Sequence, residues 1–162
     1  MDRRTFVISG SAALATGFST TALAQKQGVV RTGSTATGMP FTFLDTKTNK
    51  LSGISVDVMN AVAREAKFAV EMNAMQFSTL IPSLTTDRID IIVSSMFITE
   101  PRKQVINFSN PICTYGEALT VQKSDNKPYE KFADLQGQIV GAQLGGVYVE
   151  PLKKSGVFAE VK

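Results

Sequence analysis

The order of the predicted elements constrains the fold of this chain more than any other feature of its sequence. Short apolar segments that suit strands alternate with segments whose apolar residues recur at helical spacing, and this alternation is typical of an α/β domain with a largely parallel sheet. Val29–Ser34 is predicted as the first strand. Ile89–Ser95, with the run Ile91-Ile92-Val93, is predicted as a central strand buried on both faces.

Two helices are predicted between these strands. Ser55 is expected to cap the first helix, which continues to about Lys67 and buries one face. The apolar residues of that face are Val58, Met59, Val62, Ala63 and Ala66. The second helix is predicted over Ser78–Thr86, and its inward residues are Leu80, Ile81 and Leu84.

The other predicted elements continue the alternation. In the first part of the chain they are a loop at residues 38–40, a hairpin that begins at 41–44 and is closed by 45–50, and a strand at 68–74 with residues 68, 70, 72 and 74 on one side. In the last part they are a strand at 118–122, a helix at 129–135, a strand at 138–142, a helix at 147–154 and a strand at 158–161.

The first 24 residues are predicted to be a cleaved export signal. They contain paired arginines, an apolar stretch from Phe6 to Phe18, and the A-x-A sequence Ala22-Leu23-Ala24. The Arg3-Arg4 pair also fits a twin-arginine signal, and the general secretory route is the alternative. Both routes lead out of the cytoplasm, so a periplasmic location is expected.

Charge and composition exclude several classes of function. Loss of Met1–Ala24 removes two arginines and one aspartate, so the net charge falls from +3 to +2, and no nucleic-acid surface is expected. The chain has no histidine and one cysteine, Cys113, which excludes histidine-based triads and an internal disulfide. No metal site and no cofactor are expected.

The segment ITEPRKQVINFSNP, residues 98–111, carries the strongest functional signal. Thr99 can cap a helix, and Arg102 offers a planar two-pronged donor of the kind that binds carboxylates. This pattern favours capture of a small carboxylate. A capped helix with a surface arginine is the alternative that these residues alone leave open.

The same segment resembles the T-P-E-R and F-S-D-P signature of bacterial periplasmic solute-binding proteins of the polar amino acid ABC transporter type, family 3. Here the order is T-E-P-R and the aspartate is Asn110. GISVDVMNAVAREA, FSTLIPSLTTDRIDIIVSSMFIT and GEALTVQK resemble further family motifs in the same order, so the likeness extends from about Val29 to Gly145.

The resemblance implies a periplasmic-binding-protein-like (type II) α/β fold: a two-lobed clamp with mainly parallel sheets and the ligand between the lobes. The expected first lobe is residues 25–117, the crossing strand or hinge is 118–123, and 124–162 begin a second lobe that is incomplete. A membrane ABC permease is the implied partner. An interrupted sheet is expected to self-associate.

The resemblance also implies the residues of the site. Arg102 would grip the ligand carboxylate above the Thr99 cap, and Gly145 and Gly146 would allow close backbone approach at a helix start. The other implied pocket residues are Ser94 and Ser95, Phe77 against the ligand side chain, and Phe97 near the ligand amino group. Phe97 replaces a hydroxyl or small residue, so an amine-free carboxylate is kept as an alternative to an amino acid.

Two other functions remain open on the same scaffold. Cyclohexadienyl dehydratases resemble these binding proteins, but they need a positioned acid or base, for which the motifs offer only Glu100 and Glu117. A receptor ligand-sensing domain is the other alternative. A non-catalytic binding protein is the expected function.

Overall fold

The computed structural model describes residues 28–162, so the predicted signal segment 1–24 lies outside the described residues. The strands are β1 (Val29–Ser34), β2 (Thr37–Gly38), β3 (Thr42–Asp45), β4 (Lys50–Ser52), β5 (Ala69–Ala74), β6 (Ile91–Ile92), β7 (Ile139–Val140) and β8 (Glu160–Val161). The helices are α1 (Ile54–Ala66), α2 (Phe77–Thr85), α3 (Glu100–Lys103) and α4 (Val149–Lys154), with a 3-10 helix at Phe132–Leu135. Within the described range, no helix is long and apolar enough to cross a membrane.

The main sheet is parallel and has the order β5-β1-β6. β1 pairs with β5 from Val29↔Ala69 to Ser34↔Ala74 and with β6 at Thr32↔Ile91. β1 is therefore the central strand, and the prediction of a central, doubly buried Ile89–Ser95 is wrong. Among residues 28–162, β6 has a partner on one side only, so the Ile91 side chain stays 38% exposed.

Helix α1 begins two residues earlier than the sequence predicts. Gly53 is its N-cap and makes no side-chain cap, whereas the Ser55 hydroxyl lies 3.1 Å from the Ser95 hydroxyl, so the predicted Ser55 cap is wrong. The buried face consists of Val56, Met59 and Ala63. Met59 and Ala63 confirm part of the predicted face, whereas Val62 and Ala66 lie on the exposed side.

Helix α2 packs its Leu80 side chain against the main sheet, where it is fully buried. The close approach depends on Gly33 in β1, because a Cβ there would lie 2.5 Å from Ile89 Cδ1 and 3.0 Å from Leu80 Cδ2. Leu80 confirms the predicted inward face, while Ile81 and Leu84 are only partly buried.

A small antiparallel sheet, in the order β2-β3-β4, lies beside α1 and confirms the predicted hairpin. Its turn is held by the Asp45 carboxylate, which accepts the backbone N–H groups of Lys47 and Thr48 at 2.8 and 3.3 Å. These hydrogen bonds lower the pKa of Asp45, since they stabilise its charged form.

We call residues 28–110 the N-terminal unit and residues 125–162 the C-terminal unit. In the C-terminal unit β7 and β8 pair in parallel, as predicted for those strands, but the predicted helix at 129–135 is only the 3-10 turn at 132–135. Residues 118–122 form no strand, because every residue from 111 to 124 is exposed and pairs with no strand of the described chain. The predicted domain boundaries stay predictions.

An ion pair joins β1 to the turn before β6. Arg31 Nη2 lies 2.7 Å from Asp90 Oδ1, and the Arg31 Nε and backbone N–H donate to Asp90 Oδ2 at 3.0 and 2.8 Å. The hydrogen bonds from the Arg31 side chain and backbone lower the pKa of Asp90 from 3.8 to about 2.

We therefore expect this pair to make stability depend on acid pH. A carboxylate with a lowered pKa in the folded state stabilises above its unfolded pKa and loses that effect as the pH falls through the folded value, here from about 4 to about 2. The melting temperature should fall over this window, and Asp90→Asn should flatten the fall. Glu65→Gln on the exposed side of α1 is the control, and equal slopes in the two variants would contradict the assignment.

Candidate functional site

A cavity of about 450 Å³ lies between the two units. The N-terminal unit lines it with residues 35–37, just after β1, and residues 74–78, from the end of β5 to the start of α2. The C-terminal unit contributes Gln143 and Leu144. The cavity thus lies beyond the carboxyl ends of two parallel strands, where open α/β sheets place their ligands.

The predicted cap of α3 is confirmed. The Thr99 hydroxyl accepts the backbone N–H of Arg102 at 3.4 Å, and Pro101 occupies the first turn, where a missing N–H is tolerated. The helix has only four residues. Its Glu100 carboxylate accepts a hydrogen bond from Lys103 Nζ at 2.7 Å, so this acid is paired on the exposed side of the helix.

The guanidinium of Arg102 joins the two units. Its Nη1 donates to the Phe97 carbonyl at 2.8 Å, and its Nη2 donates to the Gly145 carbonyl at 3.0 Å. The Phe77 ring lies beneath it, with 5.4 Å between Cζ and the ring centroid, which is a cation–π distance. Burial lowers the pKa of Arg102, yet the guanidinium stays charged because arginine is a very strong base.

The hydroxyls of Ser94 and Ser95 are engaged within the N-terminal unit. Ser94 is buried, and its Oγ lies 2.9 Å from Thr35 Oγ1, which in turn lies 3.0 Å from Thr42 Oγ1. Ser95 has φ +28° and contacts Ser55 through its hydroxyl. Neither serine lines the cavity, and of the predicted site residues only Phe77 does.

Four aromatic rings form a continuous group beside Arg102. Ring centroids are 5.1 Å apart for Phe41 and Tyr115, 4.8 Å for Phe97 and Tyr115, and 6.1 Å for Phe97 and Tyr148. The Tyr115 hydroxyl donates to the Ser95 carbonyl at 2.9 Å, and burial raises the pKa of this phenol. Phe97 therefore contacts Tyr115, in the segment between the two units, and Tyr148, in the C-terminal unit.

Gly145 and Gly146 lie in a turn, three residues before α4. The Gly146 N–H donates to the Gln143 carbonyl at 2.8 Å, and α4 starts at Val149, so the prediction of glycines at a helix start is wrong. The predicted close approach of this backbone to a ligand stays a prediction. Gly145 has φ +79°, and a Cβ there would lie 3.2 Å from Ser78 Cα, a tight contact that together with the positive φ favours glycine.

Sequence reasoning missed several cavity residues, notably Thr35, Met75, Gln143 and Leu144. The positions of Thr35 and Met75, each directly after a strand that pairs in parallel, were a usable signal. Gln143 and Leu144 had only one signal, their place next to two glycines.

A parallel α/β unit and a second unit with a cavity between them are the arrangement expected of a two-lobed clamp fold. Residues 30–157 match the bacterial extracellular solute-binding proteins, family 3, and the chain belongs to this family. Its fold is that of the type II periplasmic binding proteins.

Two curated relatives show the range of the likeness. The chain is 33% identical over 118 residues to the probable amino-acid-binding protein YxeM of Bacillus subtilis, covering 73% of this chain and 44% of that protein. It is 36% identical over 116 residues to the L-arginine-binding protein of Pseudomonas aeruginosa, with 72% and 44% covered. The chain thus spans about half the length of the curated relatives that it matches.

Solved structures agree with the fold. An ancestral arginine-binding protein bound to glutamine superposes with a TM-score of 0.76 at 38% identity, covering 83% of this chain and 59% of that one. An ancestral amino acid-binding protein described as a precursor of cyclohexadienyl dehydratase gives 0.74 at 31% identity, with 85% and 61% covered.

Proposed function

We propose that this chain belongs to an extracytoplasmic protein that binds a small carboxylate for delivery to an ABC importer, and that this carboxylate is an amino acid. The observation that carries the proposal is the Arg102 guanidinium, which is held between the two units with an N–H directed to a backbone oxygen of the opposite unit. A ligand carboxylate presents the same kind of acceptor with a full negative charge, and it accepts two parallel N–H groups from arginine.

The placement of Arg102 favours a binding role over a surface role. The guanidinium is partly desolvated, it lies at a cation–π distance from Phe77, and Phe77 itself lines the cavity. This contact and the hydrogen bonds to the Phe97 and Gly145 carbonyls hold the guanidinium in place before a ligand arrives. A plain surface arginine, the alternative that the sequence left open, has no such constraints.

We further propose that the protein is not an enzyme. Its relatives named above are binding proteins. The two acids that the motifs offered are poorly placed for acid–base chemistry, because Glu100 pairs with Lys103 and Glu117 is exposed in a segment without regular structure. A catalytic acid needs a hydrogen-bond path to its substrate.

Location and partner follow from the same comparison. Members of the family are extracellular solute-binding proteins, and the predicted signal segment fits export to the periplasm by either route. The membrane permease of an ABC importer is the proposed partner. Self-association of this chain remains a prediction.

The test is a titration of the isotope-labelled chain followed by NMR chemical shifts, because these detect millimolar binding. L-leucine and L-glutamine are each compared with the corresponding carboxamide, which keeps the amine and the side chain but removes the charged carboxylate. We expect saturable shifts near Phe77 and Arg102 for the acids and at least tenfold weaker binding of the carboxamides. 4-Methylpentanoate, the deaminated analogue of leucine, measures the contribution of the amine. Equal binding of acids and carboxamides would refute a carboxylate site.

A further inference from the structure

The described wall of the cavity has no charged side chain, although one relative of this chain is an L-arginine-binding protein. Of the ten residues that line the cavity in the described part of the chain, none is acidic and none is basic. Its wall is made of aliphatic, aromatic, hydroxyl and amide groups, with Met75, Phe77 and Leu144 as the large apolar members. We infer, on the basis of the proposed function, that the site selects carboxylates whose side chain is uncharged and rejects those whose side chain is cationic.

Three backbone carbonyls of the cavity wall already accept hydrogen bonds within the protein and so are poor partners for a cationic ligand group. The Ala36 carbonyl accepts the Leu44 N–H at 3.1 Å, the Gln76 carbonyl accepts the Thr79 N–H at 3.0 Å, and the Gln143 carbonyl accepts the Gly146 N–H at 2.8 Å. The Gln76 carbonyl also accepts the Thr79 hydroxyl at 2.8 Å. A guanidinium or ammonium that enters the cavity finds no carboxylate among the lining residues, and these carbonyls are already engaged, which is unfavourable for a charged group.

The aromatic surface of the wall is engaged as well. Phe77 is the aromatic residue that lines the cavity, and the guanidinium of Arg102 lies over its ring. The ring quadrupole that attracts a cation is thus in contact with the cation of the protein itself. A cationic side chain near the same ring meets the like charge of Arg102, and the two charges repel each other.

An uncharged side chain has none of these difficulties. Met75, Phe77 and Leu144 supply apolar contact, and the hydroxyls of Thr37 and Ser78 and the amides of Gln76 and Gln143 can serve a neutral polar group. The uncharged class therefore includes both apolar and amide-like side chains. The carboxylate that both classes of ligand share can bind Arg102 once the guanidinium releases the Gly145 carbonyl.

The decisive comparison uses L-arginine and L-citrulline, which have the same shape and the same α-carboxylate but differ in a guanidinium against a neutral urea group. L-lysine and L-norleucine form a second pair. We expect the neutral member of each pair to bind the chain at least tenfold more tightly in the NMR titration. Gln143→Glu, which puts a carboxylate on the exposed part of the wall, should reduce the ratio at least fivefold. Gln143→Met, of similar length and uncharged, should keep it.

The outcomes separate this inference from the proposed function. Arginine that binds as tightly as citrulline, with carboxamides still rejected, would overturn the inference and leave the carboxylate site intact. A ratio that favours citrulline and is unchanged in Gln143→Glu would overturn the assignment of selectivity to this cavity. Absence of saturable shifts with every amino acid would overturn both.

Discussion

Arg102→Ala is expected to abolish detectable binding of amino acids. Loss of one partner of a desolvated arginine–carboxylate pair typically costs about 2–5 kcal/mol, which is a weakening of roughly thirtyfold or more. Arg102→Lys should also bind poorly, because lysine keeps the charge but loses the planar fork that lies over Phe77. The measurement is the NMR titration with leucine and glutamine.

Arg64→Ala is the matched control, because Arg64 is exposed near the end of α1 and its loss removes one positive charge. Affinity in this variant should equal that of the wild type. Wild-type affinity in Arg102→Ala would remove Arg102 from the site. Circular dichroism spectra of all three variants establish that any loss of binding does not reflect unfolding.

Gly53→Ala is expected to destabilise the fold by about 3–5 kcal/mol, the combined effect of a strained backbone and an overpacked contact. Gly53 has φ +121° and ψ 174°, a region that only glycine adopts easily. A Cβ there would lie 2.4 Å from the Phe41 carbonyl oxygen and 2.7 Å from that of Pro40. These two carbonyls accept the Ser55 and Ile54 N–H groups, so the clash also loosens the attachment of α1 to the hairpin.

Urea denaturation followed by circular dichroism measures this effect. Gly116→Ala is the control, because a Cβ at Gly116 meets no atom within 4 Å and its backbone has no positive φ, so its free energy of unfolding should stay within about 0.5 kcal/mol of the wild type. A Gly53→Ala variant as stable as Gly116→Ala would show that the first turn of α1 shifts to accommodate the methyl group.

The sequence predicted the elements whose signals are local. Val29–Ser34 was predicted residue for residue, the Leu80 side chain was placed in the core, and Thr99 was identified as a cap, because strand pattern, helical spacing and capping chemistry act over a few residues. Ser55 shows the limit. Its hydroxyl has the right chemistry for a cap, but the helix begins earlier, with Gly53 as the N-cap. No local sequence pattern predicts the positive φ of Gly53.

The predictions about the site also succeed for single residues and fail for contacts between residues far apart in sequence. Arg102 was identified from its donor chemistry and from a resemblance in sequence, and Phe77 from the resemblance. Their cation–π contact depends on packing within the N-terminal unit, and the bond from Arg102 to Gly145, 43 positions away, depends on how the two units meet. Ser94 was expected to line the pocket, but Thr35 engages its hydroxyl and Ser94 does not line the cavity. Thr35 is 59 positions from Ser94, and pairings at such separations are not determined by neighbouring residues.

The hydrogen bond between Arg102 and the Gly145 carbonyl also has a consequence for measured affinity. The carbonyl and a ligand carboxylate compete for the same N–H, so only the population of molecules with the bond open is ready to bind. If the bond is closed in about nine molecules of ten, the apparent Kd is roughly tenfold weaker than the intrinsic one. Affinity in this protein can therefore be set by the equilibrium of the 143–146 turn, in addition to the contacts that the ligand itself makes.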